Sequence, residues 1–275
     1  MTTSSHDPAP QDVYTHGHHE AVLRSHRWRT ARNSAAYLLP ELRPGFRLLD
    51  VGAGPGTISI DLGGYVAQVV GIDASAQIVE VARAAAQQAG ATNVTFEVGD
   101  AYRLPFDDDS FDVVHAHQVL QHLSDPVAAL REMRRVARPG GIVAVRDSDY
   151  SAMTWYPASV GLDRWRDLYL QVTRSNRADA DAGRKLAAWV RAAGFDPAGI
   201  VADAGVWCFA TPADRTWWSQ LWAERTVASD FAHQAVERRL VDQESLEEIA
   251  AAWRAWGQDP DGWFAVLHGQ VLARA

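Results

Sequence analysis

One cysteine, Cys208, in 275 residues leaves no intrachain disulfide and no cysteine-built zinc site. That scarcity, together with the lack of a signal-peptide pattern, predicts a reducing, cytoplasmic setting. No uncharged apolar run reaches the roughly 18 residues of a membrane span, so no membrane partner is expected. Positive charge is also short. Twenty-six Lys and Arg against 34 Asp and Glu give a net charge of −8, whereas a grip on nucleic acid needs a basic face. The expected partner is therefore a small molecule rather than a nucleic acid. What remains is an ordinary globular composition, 47% hydrophobic and 22% charged, long enough for one large domain or two small ones.

The first dozen residues, MTTSSHDPAPQD, are polar and read as an arm. A helical pattern over 20–39 stops at Pro40, which cannot continue it. From Phe46 to Arg146 short apolar runs (FRLLDV, AQVVGI, VTFEV, FDVVHA, GIVAV) alternate with helical patterns. Such alternation predicts a parallel sheet with helices on both faces. Ser75 is placed to cap a helix reaching Gly90. Asp125-Pro126 reads as an N-cap followed by proline at the first helical position, with a stop at Pro139-Gly140-Gly141. After about Ser148 the composition shifts, and ten of the eleven tryptophans lie beyond that point. Helices are expected near 162–174, 182–193, 212–231 and 243–256, with Thr211-Pro-Ala-Asp214 as a capping box. Strands are expected in GVWCFA (205–210) and WFAVLHGQVLA (263–273).

The most informative segment is LLDVGAGPGT, residues 48–57. A strand runs into glycines at 52, 54 and 56 and then into a helix. Glycine permits positive φ and lets main chain approach a ligand closely. Gly71-Ile72-Asp73 ends the next strand with a carboxylate able to accept from both ribose hydroxyls. Val98-Gly99-Asp100-Ala101 ends a third, where an acid can accept from an exocyclic amine. The residue three after Gly54 is Thr57, so the dinucleotide pattern G-x-G-x-x-G is not met. The acidic ring of Asp50, Asp73 and Asp100 suits a cationic or zwitterionic nucleoside better than a pyrophosphate.

Four blocks in this order, LLDVGAGPGT, VVGIDAS, VGDAYRLPFDDDSFDVVHAHQVLQHLSDP and REMRRVARPGG, resemble the class I S-adenosylmethionine-dependent methyltransferases, in particular the small-molecule branch of ubiquinone/menaquinone-type enzymes (methyltransferase type 11). They cover roughly 46–146, about a third of the chain. The resemblance implies an α/β fold: a Rossmann-like, doubly wound, seven-stranded sheet, mostly parallel with its last strand antiparallel, plus helical lid insertions. On that reading 1–40 is an arm and covering helix and 41–149 the cofactor-binding core. Residues 150–182 form a lid insertion, 183–211 continue the core, 212–260 form a second lid insertion, and 261–275 supply the last strand. The cofactor implied is S-adenosylmethionine (SAM), with S-adenosylhomocysteine (SAH) as product. Gly52, Gly54 and Gly56 would line the methionine part and Asp73 would hold the ribose. Ala74 and Ile78 would flank the adenine, with Ile78 replacing the family's usual methionine. Gly99, Asp100 and Ala101 would address the adenine edge. His117 and Gln118 would lie along the methionine side. An N-terminal helix often covers the cofactor in such enzymes, so Tyr14, His19, His26 and Arg27 would reach its carboxylate or the acceptor.

Five of the ten histidines fall in the first 26 residues, but neither their spacing nor an accompanying carboxylate set marks a metal site, and no metal is expected. Candidates for a general base are His117, His122, His19 and Asp149. His115, inside an apolar strand, reads as a hydrogen-bonded core residue. Asp147, Asp149 and Tyr150 follow strand five, where the acceptor commonly lies. Tyr150, Trp155, Trp217, Trp218 and Trp222 are candidates for an apolar acceptor pocket. The activity expected is methyl transfer from SAM to a small, partly apolar molecule by in-line displacement. A fold relative that binds the nucleoside without methylating, a nicotinamide oxidoreductase, and a nucleic-acid methyltransferase using Arg131, Arg134, Arg135 and Arg138 are the alternatives. The acceptor and the oligomeric state stay open.

Overall fold

The computed structural model describes residues 12, 15 and 20–275. Tyr14 and His19 lie outside the described residues. Five strands form the parallel part of one sheet: β1 (Arg47–Val51), β2 (Gln68–Asp73), β3 (Val94–Val98), β4 (Phe111–His117) and β5 (Ala137–Ser148). They stand in the order β3-β2-β1-β4-β5. β4 is buried at all seven positions, as a central strand covered on both faces must be. Helices α1 (Glu20–Arg27), α2 (Ala31–Ser34), α3 (Thr57–Leu62) and α4 (Ala76–Ala89) precede β3 in the chain, and α5 (Pro126–Val136) leads into β5. Beyond β5 come β6 (Thr154–Tyr156), α6 (Val160–Ser175), α7 (Leu186–Ala192), β7 (Ile200–Phe209), α8 (Pro212–Ala228), α9 (Asp230–Glu237), α10 (Gln243–Gln258) and β8 (Trp263–Arg274). β8 runs antiparallel to β5 and is flanked on its other edge by β7, also antiparallel.

Among the described residues the sheet has eight strands, one more than the sequence predicts. The addition is β6, whose three residues are too few to show any alternation. It pairs with β8 at Ala265, Phe264 and Trp263, just past the stretch that pairs with β5. β5 and β6 are thus two segments laid end to end along one edge of β8. Between them Asp149 accepts from the Ala152 amide and closes a short 3-10 turn.

Other boundaries also shift. The helix expected over 20–39 breaks after Arg27, because Thr30 takes extended dihedrals and forms a capping box with Asn33. The segment expected at 212–231 divides at Ser229, which is extended and donates its hydroxyl to the Arg225 carbonyl. Pro139-Gly140-Gly141 is not a helix stop. α5 ends at Val136, and the Pro-Gly-Gly lies inside β5, where Gly140 has φ +75° and the pairing with β4 is irregular between Phe111 and Val113. β7 starts at Ile200, earlier than GVWCFA: pairing with β8 makes residues 201–204 strand, and being all exposed they carry no inward-outward pattern for the sequence to show. The caps at Ser75, Asp125 and Thr211 stand as expected.

Two apolar layers sandwich the parallel sheet. One packs Leu49, Val114, Val143 and Val145 against α5 and α7. The other packs Leu48, Val113, Ile142 and Ala144 against α2, α3 and α4. A third core belongs to the lid. Trp165 and Tyr169 of α6, Trp222 of α8, Phe231 of α9 and Trp253 of α10 close on Phe264 of β8. Trp165 sits edge-on to Trp222 at 4.5 Å and to Trp253 at 4.9 Å. Such pairs add about 0.5–1.5 kcal/mol each beyond area burial. No helix among the described residues is long and apolar enough to cross a membrane.

Candidate active site

A cavity of about 1000 Å³ opens at the carboxyl ends of β1, β2, β3 and β4, beneath the lid. Ligands in open α/β sheets sit in this place. Its floor is the turn after β1. Gly52, Gly54 and Gly56 have φ of +69°, +55° and +83°. A Cβ on Gly52 would lie 2.4 Å from Val119 Cγ2, so this turn accepts no side chain there. Gly56 departs from expectation. It is not part of the cavity wall; its missing Cβ makes room for Phe96 and Ala82, and it caps α3.

The three strand-end acids differ in what already holds them. Asp73 accepts from Gly54 N at 3.1 Å and Ser75 N at 3.0 Å, tying the glycine turn to the start of α4. Asp100 accepts from Tyr102 N at 2.9 Å. Asp50 is only 3% exposed, and both its oxygens are engaged from within the fold, one by the Ser59 hydroxyl and one by His115 Nδ1 at 2.8 Å. It lines the wall as a buttress of the turn, and His115 is the hydrogen-bonded core residue expected. Ala74, Ile78, Gly99 and Ala101 line the same end. Asp12 joins them, accepting from Tyr102 Oη and Ser124 N. α1 closes over the turn: the Thr57 hydroxyl donates to the His26 carbonyl, and His26 is on the wall. Arg27 is exposed and is not on that wall.

Past β4, Gln118 adopts φ +55°. Its Oε1 accepts from Arg29 Nη2 at 2.6 Å, so its Nε2 donates to His268 Nε2 at 2.9 Å. His268 Nδ1 then donates to the Val266 carbonyl at 3.1 Å, which fixes a neutral tautomer. Burial, with Arg146 and Arg29 nearby, holds His268 well below the usual histidine range. His117 is buried and lines the cavity, and among the described residues neither ring nitrogen has a hydrogen-bond partner. Burial first, then Arg146 and Arg29, keeps it neutral as well. His122 lines the cavity and meets Gln121 Nε2 through Nε2 at 3.0 Å; burial pushes its pKa down to about 3.

At the lid end Tyr150, Trp217, Trp218 and Trp222 line the wall, joined by Trp28, Met153, Trp207 and Arg225. Tyr150 stacks on Tyr169 at 4.0 Å, and burial raises its pKa. Three expected members, Trp155, Asp149 and Asp147, are absent from the wall. Trp155 stacks on Phe264 at 5.5 Å and carries Arg166 over its ring, so it serves the lid core. Asp149 is 1% exposed and bound by both Nε and Nη2 of Arg184 while capping the turn after β5, so it is unsuited to be a base. Asp147 is also buried off the wall. It accepts from Gln121 N at 3.2 Å, and burial raises its pKa to about 8.

Sequence reasoning passed over Arg29, Trp207, Arg225 and His268. His268 looks like any polar residue in an apolar strand. Arg225 had one signal, its helical spacing of three and seven residues from Trp222 and Trp218.

A profile of the family described as "Methyltransferase domain" matches residues 42–187. An uncharacterised methyltransferase of Schizosaccharomyces pombe is 34% identical over 96% of this chain and 97% of its own length. A demethylmenaquinone methyltransferase of Beutenbergia cavernae is 43% identical over 42% of this chain and 45% of its own. Among solved structures, the YcgJ protein of Bacillus subtilis superposes with a TM-score of 0.56 at 22% identity, over 94% of this chain and 98% of that one. With the glycine turn, the strand-end acids and the sheet order in place, the chain belongs to the S-adenosylmethionine-dependent methyltransferase family and is an enzyme of that family.

Proposed function

We propose that the enzyme transfers the methyl group of SAM to a small, partly apolar molecule held under the lid. The observation that carries this reading is the single cavity running from the acid-lined glycine turn to the indole wall. Its volume is at the upper end of ordinary ligand pockets, with room for cofactor and acceptor side by side.

The wall residues fit SAM. On this reading Asp73, at the end of β2 on the cavity wall, would accept from the ribose hydroxyls, and Asp100 with Ala101 would meet the adenine edge. Ala74 and Ile78 would flank the base. The open side of Gly54, where a Cβ would meet nothing closer than His26 Nδ1 at 3.8 Å, leaves space for the methionine part, and Gly52 lets the turn pack against Val119 beside it. Gln118 and Arg29 offer polar groups at that end. When bound, SAM supplies an activated sulfonium methyl.

The protein's own work is orientation and exclusion of water. Aligning donor and acceptor can supply on the order of 7–11 kcal/mol of the barrier. His117 is neutral, and among the described residues its ring nitrogens have no partner. It is the wall group best placed to accept a hydrogen bond from the acceptor's O–H or N–H and aim it. Burial and the nearby guanidiniums weaken it as a proton acceptor, so orientation rather than base strength is its main part. His122 is second, since Gln121 already occupies its Nε2.

Calorimetry with SAH, then incubation with methyl-labelled SAM and a metabolite extract, tests the reading. Binding followed by label in a small organic product is expected. Tight SAH binding with no label transferred would replace it with a non-methylating reaction on the same fold.

A further inference from the structure

The short helix that covers the glycine turn also reaches the lid. α1 has only eight residues, too few to be stable alone, so its neighbours hold it in place. Its helical bonding runs on, from Trp28 N to the Arg24 carbonyl and from Arg29 N to the His26 carbonyl. Residues 24–29 therefore present two faces at helical spacing. His26 and Arg29 make one. The His26 carbonyl accepts from the Thr57 hydroxyl, His26 Nδ1 is the atom a Cβ on Gly54 would meet first, and Arg29 donates to Gln118. Arg24, Ser25 and Trp28 make the other. Arg24 pairs with Glu224, and the Ser25 hydroxyl accepts from Arg225, both on α8. The Trp28 ring meets Trp207 edge-on at 5.1 Å and lies 5.5 Å from Phe209 and 5.3 Å from Trp217. Trp28, Trp207 and Trp217 all line the cavity. One face of this segment rests on groups at the cofactor end, and the other completes the indole wall at the lid end.

We infer that Trp28 is the positioning residue through which cofactor binding sets the indole wall of the acceptor site. This rests on the methyltransferase reading. A ligand seated over Gly54 and Gln118 braces His26 and Arg29. Trp28, carried on the same short segment, is then held against β7 and α8. Whichever ligand binds first bears the entropy of ordering α1, and the second meets a site already ordered. Cofactor and acceptor therefore bind with positive coupling, and the coupling is reciprocal. The link bypasses Trp165, because the Trp28 ring meets β7 and the Trp217 side of α8 rather than the centre of the lid core.

The test is amide hydrogen exchange on the full chain, free and saturated with SAH, with saturation of each variant checked by calorimetry. SAH should slow exchange at 52–57 and 24–29, and also within α8 at 217–226, by about fivefold or more. In Trp28→Ala the slowing at 52–57 should persist while the response of α8 is lost. Trp28→Phe, which keeps a ring, should retain most of that response. Arg24→Ala removes the exposed pair between α1 and α8, outside the cavity wall, and should weaken the response by a smaller factor. A residue that only stabilised the fold would change exchange in the free protein and leave the response to SAH as it was. Slowing confined to the glycine turn and α1 in the wild type would overturn the proposal. So would an α8 response that survives Trp28→Ala at full size. Should Trp28→Ala fail to fold, Arg24→Ala decides by the same criterion. Failure of wild-type protein to bind SAH is a different result, because it removes the methyltransferase reading itself.

Discussion

At the glycine-turn end the cavity wall is main chain and carboxylate; at the lid end it is indole, phenol and guanidinium. The first end is fixed by backbone geometry. Three positive φ angles within five residues, and an acid at the tip of each neighbouring strand, leave little freedom in where a ligand's polar groups fall. The second end is fixed by side-chain packing among four helices and the strands β7 and β8. Backbone geometry constrains residue type position by position, whereas an aromatic core can be refilled in many ways as long as volume is kept. One scaffold can therefore hold a constant cofactor and a variable acceptor.

The sharpest way to break this comparison is to damage one end and read the other. Trp165→Ala, in the centre of the lid core, should cost about 3–5 kcal/mol of stability. For a chain of this size that lowers the melting temperature by roughly 10 °C. SAH affinity measured below the transition should be unchanged if the two ends are independent. Asp73→Ala should leave the fold intact but weaken SAH binding by about 100-fold, since charge-assisted hydrogen bonds contribute roughly 1.5–3 kcal/mol each. Calorimetry giving wild-type affinity would remove Asp73 from the ribose. Trp218→Ala should raise the acceptor KM by about tenfold, as loss of one aromatic contact face implies, with SAH affinity held; the reverse pattern would move Trp218 to the cofactor end.

The last prediction concerns sign rather than size. Asp147 has its pKa raised by burial from 3.8 to about 8. The folded protein therefore holds this proton where the unfolded chain has released it. The stability this contributes is fully present below about pH 4 and is lost as pH rises toward 8. Asp147→Asn, which retains an oxygen for the Gln121 amide, should gain melting temperature relative to wild type across that interval and level off above it. A gap that shrinks between pH 4 and 8 would contradict the buried, protonated state.

The glycine-turn end was legible in the sequence because its constraints are local. G-x-G-x-G after an apolar strand, Asp73 and Asp100 at strand ends, and Ser75 at a helix start each announce themselves within a few residues. Gly56 was misassigned, since positive φ at a helix cap and approach to a ligand leave the same letter in the sequence. Asp149 and Trp155 were misplaced for a related reason. Whether the acid meets a ligand or Arg184, 35 residues away, and whether the indole meets a ligand or Phe264, depends on long-range packing that no local pattern encodes. Arg29, Arg225 and His268 were passed over on the same ground. Arg29 and Arg225 reach the cavity wall, and His268 stands behind it bonded to Gln118, through the way the turn after α1, α8 and β8 converge. β6 went unseen because its strand character comes from β8 alone.

β8 gives the sheet a common spine. From Trp263 to Arg274 it aligns β7 along one edge, and β6 followed by β5 along the other. The lid helices enter and leave the sheet through strands indexed to that one segment. Residues can therefore be inserted, deleted or exchanged in the loops and helices between those strands without shifting the registration of the parallel strands. A descendant of this chain has a route to a new acceptor that leaves its cofactor machinery untouched.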